Sequence, residues 1–298
     1  MLCDAHIHFI PQQISEHTSF YKGVWADKVQ LYDFLKKNNI GHAFLVYPST
    51  DAHITLGSFK EVCWSYNGVL EGIIKENKGI VAAAIVDVND SKNISQTVKS
   101  IKDKGFKAIT LASSFDGKFF GENVYPLFEA VEKNKLAVFI HPQTINPIGF
   151  ERVNDPLLMP VVEYSFDISM CLGLFMMQGV FARFNINFIF SALGGVTPFL
   201  KDRFDRVYSM LRSREMVKDL GSTPSQILKK VYVDTSGASL KNIELAIELF
   251  GEDKILWGSD YPVNFPVGDN VAMLDALGQE RKEKITSKNF MRLFGVKE

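Results

Sequence analysis

Leu2-Cys3-Asp4-Ala5-His6-Ile7-His8 opens the chain as a short apolar run in which two histidines stand two residues apart. In an extended strand residues i and i+2 share a face, so the imidazoles of His6 and His8 can turn together into one interior. A lone His-x-His pair is equally well explained as a hydrogen-bonded strand pair, so its meaning depends on what the rest of the chain places beside it. Seven further apolar runs follow: AFLVY from Ala43, IVAAAIV from Ile80, FKAITL from Phe106, LAVFIH from Leu136, INFIFSA from Ile186, VYVDTS from Val231 and KILWGSD from Lys254. Most end in a polar residue or a turn signal ahead of an amphipathic stretch, which is the rhythm of βα repetition. Eight is the count of a closed parallel barrel, so the expected fold is α/β, a (β/α)8 TIM barrel, with residues 1–298 as one domain. A doubly wound open sheet is the alternative, but no glycine-rich phosphate loop supports it.

His141 closes the fifth run and Asp260 the eighth, at the strand ends where functional residues of barrels collect. Neutral imidazole suits zinc, manganese and iron, so His6, His8, His141 and Asp260 are the candidate ligands of one divalent ion. Between the third and fourth runs Ser91 is placed to cap a helix with Ile94, Val98 and Ile101 on one face and Gly105 at its end. Before the eighth run, Leu240, Ile243, Ile247 and Phe250 form one stripe that closes at Gly251. The most apolar run, Ile168 to Phe181, is shorter than the roughly 20 residues that span a bilayer, and reads as a buried barrel helix or a subunit interface. The longer connections, around 49–58 and 144–166, are where a lid or substrate loops would sit.

Thirty-three basic against 34 acidic residues give a net charge of −1, which argues against nucleic acid or an anionic membrane as partner and for a small-molecule substrate. A homodimer stays open through the apolar helix. Cys3, Cys63 and Cys171 are too scattered for a disulfide framework, and MLCDAHIHF lacks the pattern of a secretory signal, so a cytoplasmic location is expected. Of the other histidines, His53 reads as a loop residue after the second run, and His17 and His42 as structural or exposed. Asp234 ends the seventh run, where it can support a ligand, contact substrate or cap the turn, and Ser113, Ser114 and Phe115 are candidates for a pocket wall.

DAHIH at Asp4, GFKAITL at Gly105, PLFEAVEKNKLAVFIHP at Pro126, GVFARF at Gly179, LGGVTPFLKDRF at Leu193, VYVDTSG at Val231 and ILWGSDYP at Ile255 together resemble the amidohydrolase superfamily. The likeness is to its amidohydrolase-related branch, which contains aminocarboxymuconate-semialdehyde decarboxylase. The resemblance implies a single divalent metal, commonly zinc with manganese as second choice, on His6, His8, His141 and Asp260, and a base role for Asp260. One position departs from the pattern: the family reads His-Leu-Gly-Gly after the sixth strand, whereas this chain reads Ala192-Leu193-Gly194-Gly195. The function expected is therefore a metal-dependent hydrolase of a lactone, amide or ester, with Asp260 as general base. A nonoxidative decarboxylase of the aminocarboxymuconate-semialdehyde type is the alternative, and a noncatalytic ligand-binding barrel a further one. No substrate-binding residue is assigned at this level.

Overall fold

The structure is a computed structural model that describes residues 1–297 other than 116, 150, 153, 154, 264 and 265. Eight parallel strands follow one another in chain order: β1 (Leu2–His8), β2 (Ile40–Val46), β3 (Ile80–Ala84), β4 (Ala108–Ala112), β5 (Ala137–His141), β6 (Phe188–Phe190), β7 (Tyr232–Asp234) and β8 (Ile255–Leu256). The Ala5 amide donates to the Trp257 carbonyl at 2.8 Å, and Ile7 pairs with Tyr261 just beyond β8, so first and last strands meet and the sheet closes into a TIM barrel.

The strands are apolar on both faces because both are covered. Inward, Ala5, Phe44, Val46, Ala83, Phe139, Ile189 and Leu256 fill the barrel, and Phe290 and Phe294 of the C-terminal segment plug its lower end. Outward, residues that alternate with these, such as Val138, Phe188 and Phe190, pack under the surrounding helices. The period of two thus places Ile189 inside between two outward phenylalanines.

The helix after β3 runs Ile94–Asp103 and buries Ile94, Val98 and Ile101 as its spacing requires. Its N-terminal boundary residue is Asn93, so the cap expected at Ser91 is corrected: two more residues are spent in the turn before the helix begins. Leu240–Phe250 begins on Ser239, whose side chain accepts from the Asn242 amide, and ends at Gly251.

The apolar run forms a helix, Tyr164–Met177, followed after Gly179 by a short one, Val180–Arg183. With the turn before it, Met159–Met177 is long and apolar enough by length and composition to cross a membrane. Here its Ile168, Cys171, Leu172, Phe175 and Met176 are buried, while Phe166, Met170 and Met177 are exposed. The run is thus a helix packed on the barrel through one side, with an apolar second side exposed. Close approach explains Gly195 in the loop after β6: a Cβ there would lie 2.0 Å from the Ser165 carbonyl oxygen, and φ is +68°.

Candidate metal centre

The β1–β2 register shifts between Asp4 and Ile7, and such an irregularity re-aims side chains. Beyond it both His6 and His8 turn inward. The His6 ring meets the interior Phe139 ring edge-on at 5.2 Å and the His141 ring at 5.5 Å, and His8 lies 5.1 Å from His141. Ligand nitrogens of the three histidines lie within 4.8 Å of one another, and all three side chains are buried.

Each imidazole is held from behind through Nδ1. His6 Nδ1 contacts Asp234 Oδ2 at 2.9 Å, His8 Nδ1 the Val46 carbonyl at 3.0 Å and His141 Nδ1 the Pro142 carbonyl at 2.9 Å. With Nδ1 donating to these acceptors, Nε2 is the lone-pair atom that each ring offers to the interior. His6 Nε2 and His8 Nε2 face each other at 3.1 Å. Two lone pairs at that distance repel, so a proton or a cation belongs between them. Ligand atoms around a tetrahedral ion with bonds of about 2.0–2.1 Å lie about 3.3 Å apart, so the spacing fits a divalent metal. Asp260 completes the set, its Oδ1 lying 3.2 Å from His8 Nε2 and 3.5 Å from His6 Nε2. The four residues singled out in the sequence are thus brought together.

Electrostatics show how the pocket balances charge when only protons are present. Burial alone would depress the His6 imidazolium, but the carboxylates of Asp234 and Asp260 outweigh it and raise His6 to about 9. His8 is lowered, mainly by burial and by the charge of His6, while His141 is pushed well down by burial and by its two imidazole neighbours. Asp260 is held below the usual carboxylate range although burial opposes this, because His6 and His8 face it. One proton on His6 therefore sits where a cation fits.

Asp234 takes the supporting role left open by its sequence position. Besides His6 it accepts at Oδ1 from the amides of Ala192 and Ser236 at 3.2 and 2.9 Å and from Ser236 Oγ at 2.6 Å. Asp4, also buried, accepts from the His6 and Ser259 amides at 3.1 and 3.0 Å, tying β1 to the segment that carries Asp260. Ala192, where the resembling proteins present histidine, lies one backbone hydrogen bond from the carboxylate that supports His6. It has φ +47°, and with its neighbour Leu193 (+56°), Ser49 (+61°) and Asp260 (+59°) it is among the non-glycine residues in left-handed conformation at this rim.

Beside the centre, over the ends of β2 to β5, a cavity is lined by Tyr47, His53, Thr110, Ala112, Phe115 and Gln143, among others. Ala112 is the register partner of His141, so cavity and metal centre share a wall. His53, read from sequence as a loop residue, is half-buried in this lining. Its position just after β2 was the available signal. Of the proposed pocket residues Phe115 lines the cavity, whereas Ser113 and Ser114 turn their hydroxyls to Asp167, whose carboxylate also accepts from the Ile148 amide at 2.9 Å. His42 lies at the lower end, with Nε2 2.9 Å from the Lys297 carbonyl oxygen.

The sequence profile of an amidohydrolase family matches residues 3–296. A 2-amino-3-carboxymuconate-6-semialdehyde decarboxylase from Dictyostelium discoideum is 26% identical over 211 residues, which is 68% of this chain and 57% of that protein. The fold superposes on a 5-carboxyvanillate decarboxylase from Sphingomonas paucimobilis with a TM-score of 0.84 and 16% identity, covering 99% of both chains. It superposes equally on a 5-carboxyvanillate decarboxylase from Novosphingobium aromaticivorans with bound manganese, with a TM-score of 0.82, 18% identity and 99% and 97% of the two chains covered. These relatives correct the expected chemistry. The metal-site residues are common ground for hydrolysis and decarboxylation and cannot by themselves choose between them. The named relatives are decarboxylases, so the hydrolase reading with Asp260 as hydrolytic base gives way to its alternative.

Proposed function

The chain belongs to the amidohydrolase family, and from that membership we propose that it is a metal-dependent, nonoxidative decarboxylase of a small unsaturated or aromatic acid. The observation that carries the metal dependence is the cluster of three buried histidines whose ligand nitrogens lie within 4.8 Å of one another, each ring braced from behind, with Asp260 Oδ1 3.2 and 3.5 Å from His8 and His6. His6, His8, His141 and Asp260 would hold one divalent ion. Zinc suits a set of three nitrogens and one oxygen, and manganese is the second choice, in line with the metal of the Novosphingobium relative. Bound there, the ion supplies a Lewis acid toward substrate oxygens.

The chain's own residues supply the rest. Loss of carbon dioxide leaves an electron pair on carbon that must be met by a proton. Asp260 is the candidate ligand with an open edge, its side chain 24% exposed while those of His6 and His8 are 3% or less, which supports a role in relaying a proton from water to that carbon, the resulting hydroxide leaving as bicarbonate with the carbon dioxide. Asp234 keeps His6 in the tautomer that offers Nε2. Phe139 and the buried apolar side chains around it give the site an apolar floor. We read residues 1–298 as one catalytic domain, acting on a small molecule in the reducing compartment that three scattered cysteines suit. Pairing of two copies through the exposed side of Tyr164–Met177 belongs to the same reading.

The test is carbon dioxide release from a panel of unsaturated and aromatic acids by zinc- and manganese-loaded protein, with chelated protein as control. Metal-dependent release from at least one acid is expected. Binding of the acids without release by any loaded form would favour a ligand-binding barrel and overturn the reading.

A further inference from the structure

The segment after β1 lays an indole on one of the candidate metal ligands. Gly23–Ala26 forms one tight helical turn, and from it the Trp25 ring lies along the His8 imidazole, with centroids 5.6 Å apart and planes 26° from parallel. The His8 ring meets His6 and His141 edge-on, at 4.8 and 5.1 Å, and His6 meets Phe139 edge-on as well. Among the described residues His8 is thus the histidine of the set that rests on an aromatic face. Trp25 is itself fixed: its carbonyl accepts from the Ile10 amide at 2.8 Å, and the Tyr21 ring meets it edge-on at 4.9 Å. Tyr21 Oη donates to Thr144 Oγ1 at 3.1 Å, and Thr144 Oγ1 donates to the Ser49 carbonyl at 2.6 Å. The indole is therefore anchored to the segments that follow β1, β2 and β5.

We propose that Trp25 is a positioning residue of the metal centre, holding His8 against its π face and strengthening metal binding through that ring. The inference rests on the reading of His6, His8, His141 and Asp260 as the ligand set. Its cause is electrostatic. The face of an indole is negative and its edge positive, so it attracts a ring that carries positive charge more than a neutral one. His8 Nδ1 is engaged with the Val46 carbonyl, which leaves Nε2 for the ion, and an ion there draws electron density from the whole imidazole. A contact that is stronger in the bound state than in the free one raises affinity by the difference. An aliphatic side chain in place of Trp25 fills space without giving that difference, which separates this role from packing. The usual strength of a cation over an aromatic ring makes it about fivefold in affinity.

The experiment measures zinc affinity by competition calorimetry against a chelator, at fixed pH, for the parent, Trp25→Phe and Trp25→Leu, and follows indole emission in parallel. Zinc has a closed shell and no redox chemistry, so a change in emission reports on the surroundings of the ring. Trp25→Leu should bind zinc about fivefold more weakly than the parent, whereas Trp25→Phe, which keeps an aromatic face, should retain most of the affinity. Zinc should change the emission of the parent and leave that of Trp25→Phe unaltered, because Trp64 is 83% exposed and Trp257 packs in the layer outside the barrel interior. Equal affinities in Trp25→Leu and Trp25→Phe, an emission change that survives in Trp25→Phe, or none in a zinc-binding parent would each overturn the assignment while leaving the ligand set intact. Failure of the parent to bind zinc would overturn both.

Discussion

At the lower end of the barrel the interior column is filled by Phe44, Phe139, Phe290 and Phe294, rings packed on rings, with the His42 imidazole stacked on Phe290 at its edge. At the rim the same column carries His6, His8, His141 and Asp260, backed by the buried carboxylates of Asp4 and Asp234 and by backbone in left-handed conformation at Ala192 and Asp260. The lower end gains from apolar burial and asks for no exact orientation. The rim holds polar groups that are satisfied only in one arrangement. Stability and chemistry are thus separated along the barrel axis, and substitutions at the two ends should have different signatures.

Phe290→Ala should show the separation most strongly. Phe290 is 1% exposed and stacks against Phe294 at 4.8 Å, so its removal should cost about 3–5 kcal/mol in chemical denaturation. Manganese affinity of the folded fraction should not change, and a matching fall in affinity would break the comparison. Asp234→Asn is the converse at the rim. It leaves the lower end untouched but removes the carboxylate that orients His6, so calorimetric metal affinity should drop roughly 10–100-fold.

Acidity sharpens the rim further. Metal must displace the proton that His6 holds up to about 9, so between about pH 7 and about pH 8 affinity should rise about tenfold, with roughly one proton released per ion. The sign follows from the raised pKa: the competing proton is bound below it and gone above it. Affinity that is flat across this interval would show that His6 is not the protonated group. The smallest effect is expected at Ala192, where φ is +47°: Ala192→Gly should relieve backbone strain and raise stability by about 1 kcal/mol, read as a higher denaturation midpoint.

Sequence made one side of this picture visible. Each of the eight apolar runs overlaps a barrel strand, because strands covered on both faces must be largely apolar. His6 and His8 were legible through their spacing, and His141 and Asp260 through their places at run ends. Less was visible where contacts join distant segments. Asp234 braces His6 across 228 residues, and its local sequence is equally suited to a turn cap. The helix starts at Ile94 with Asn93 at its boundary and no side-chain cap there, so propensity at Ser91 did not locate the start. His53 became a cavity residue only once Phe59 and Phe115 were folded against it. Chemistry was the least legible, because one ligand set serves both hydrolysis and decarboxylation.

The central claim is that the rim of this barrel holds one divalent ion on His6, His8, His141 and Asp260. Anomalous diffraction from crystals of the protein soaked in zinc or manganese tests it directly. The account predicts a single strong peak about 2.0–2.2 Å from Nε2 of all three histidines and from an oxygen of Asp260. Absence of that peak at full occupancy conditions, or a peak elsewhere with His6 still donating to Asp234 and facing an empty interior, would contradict it.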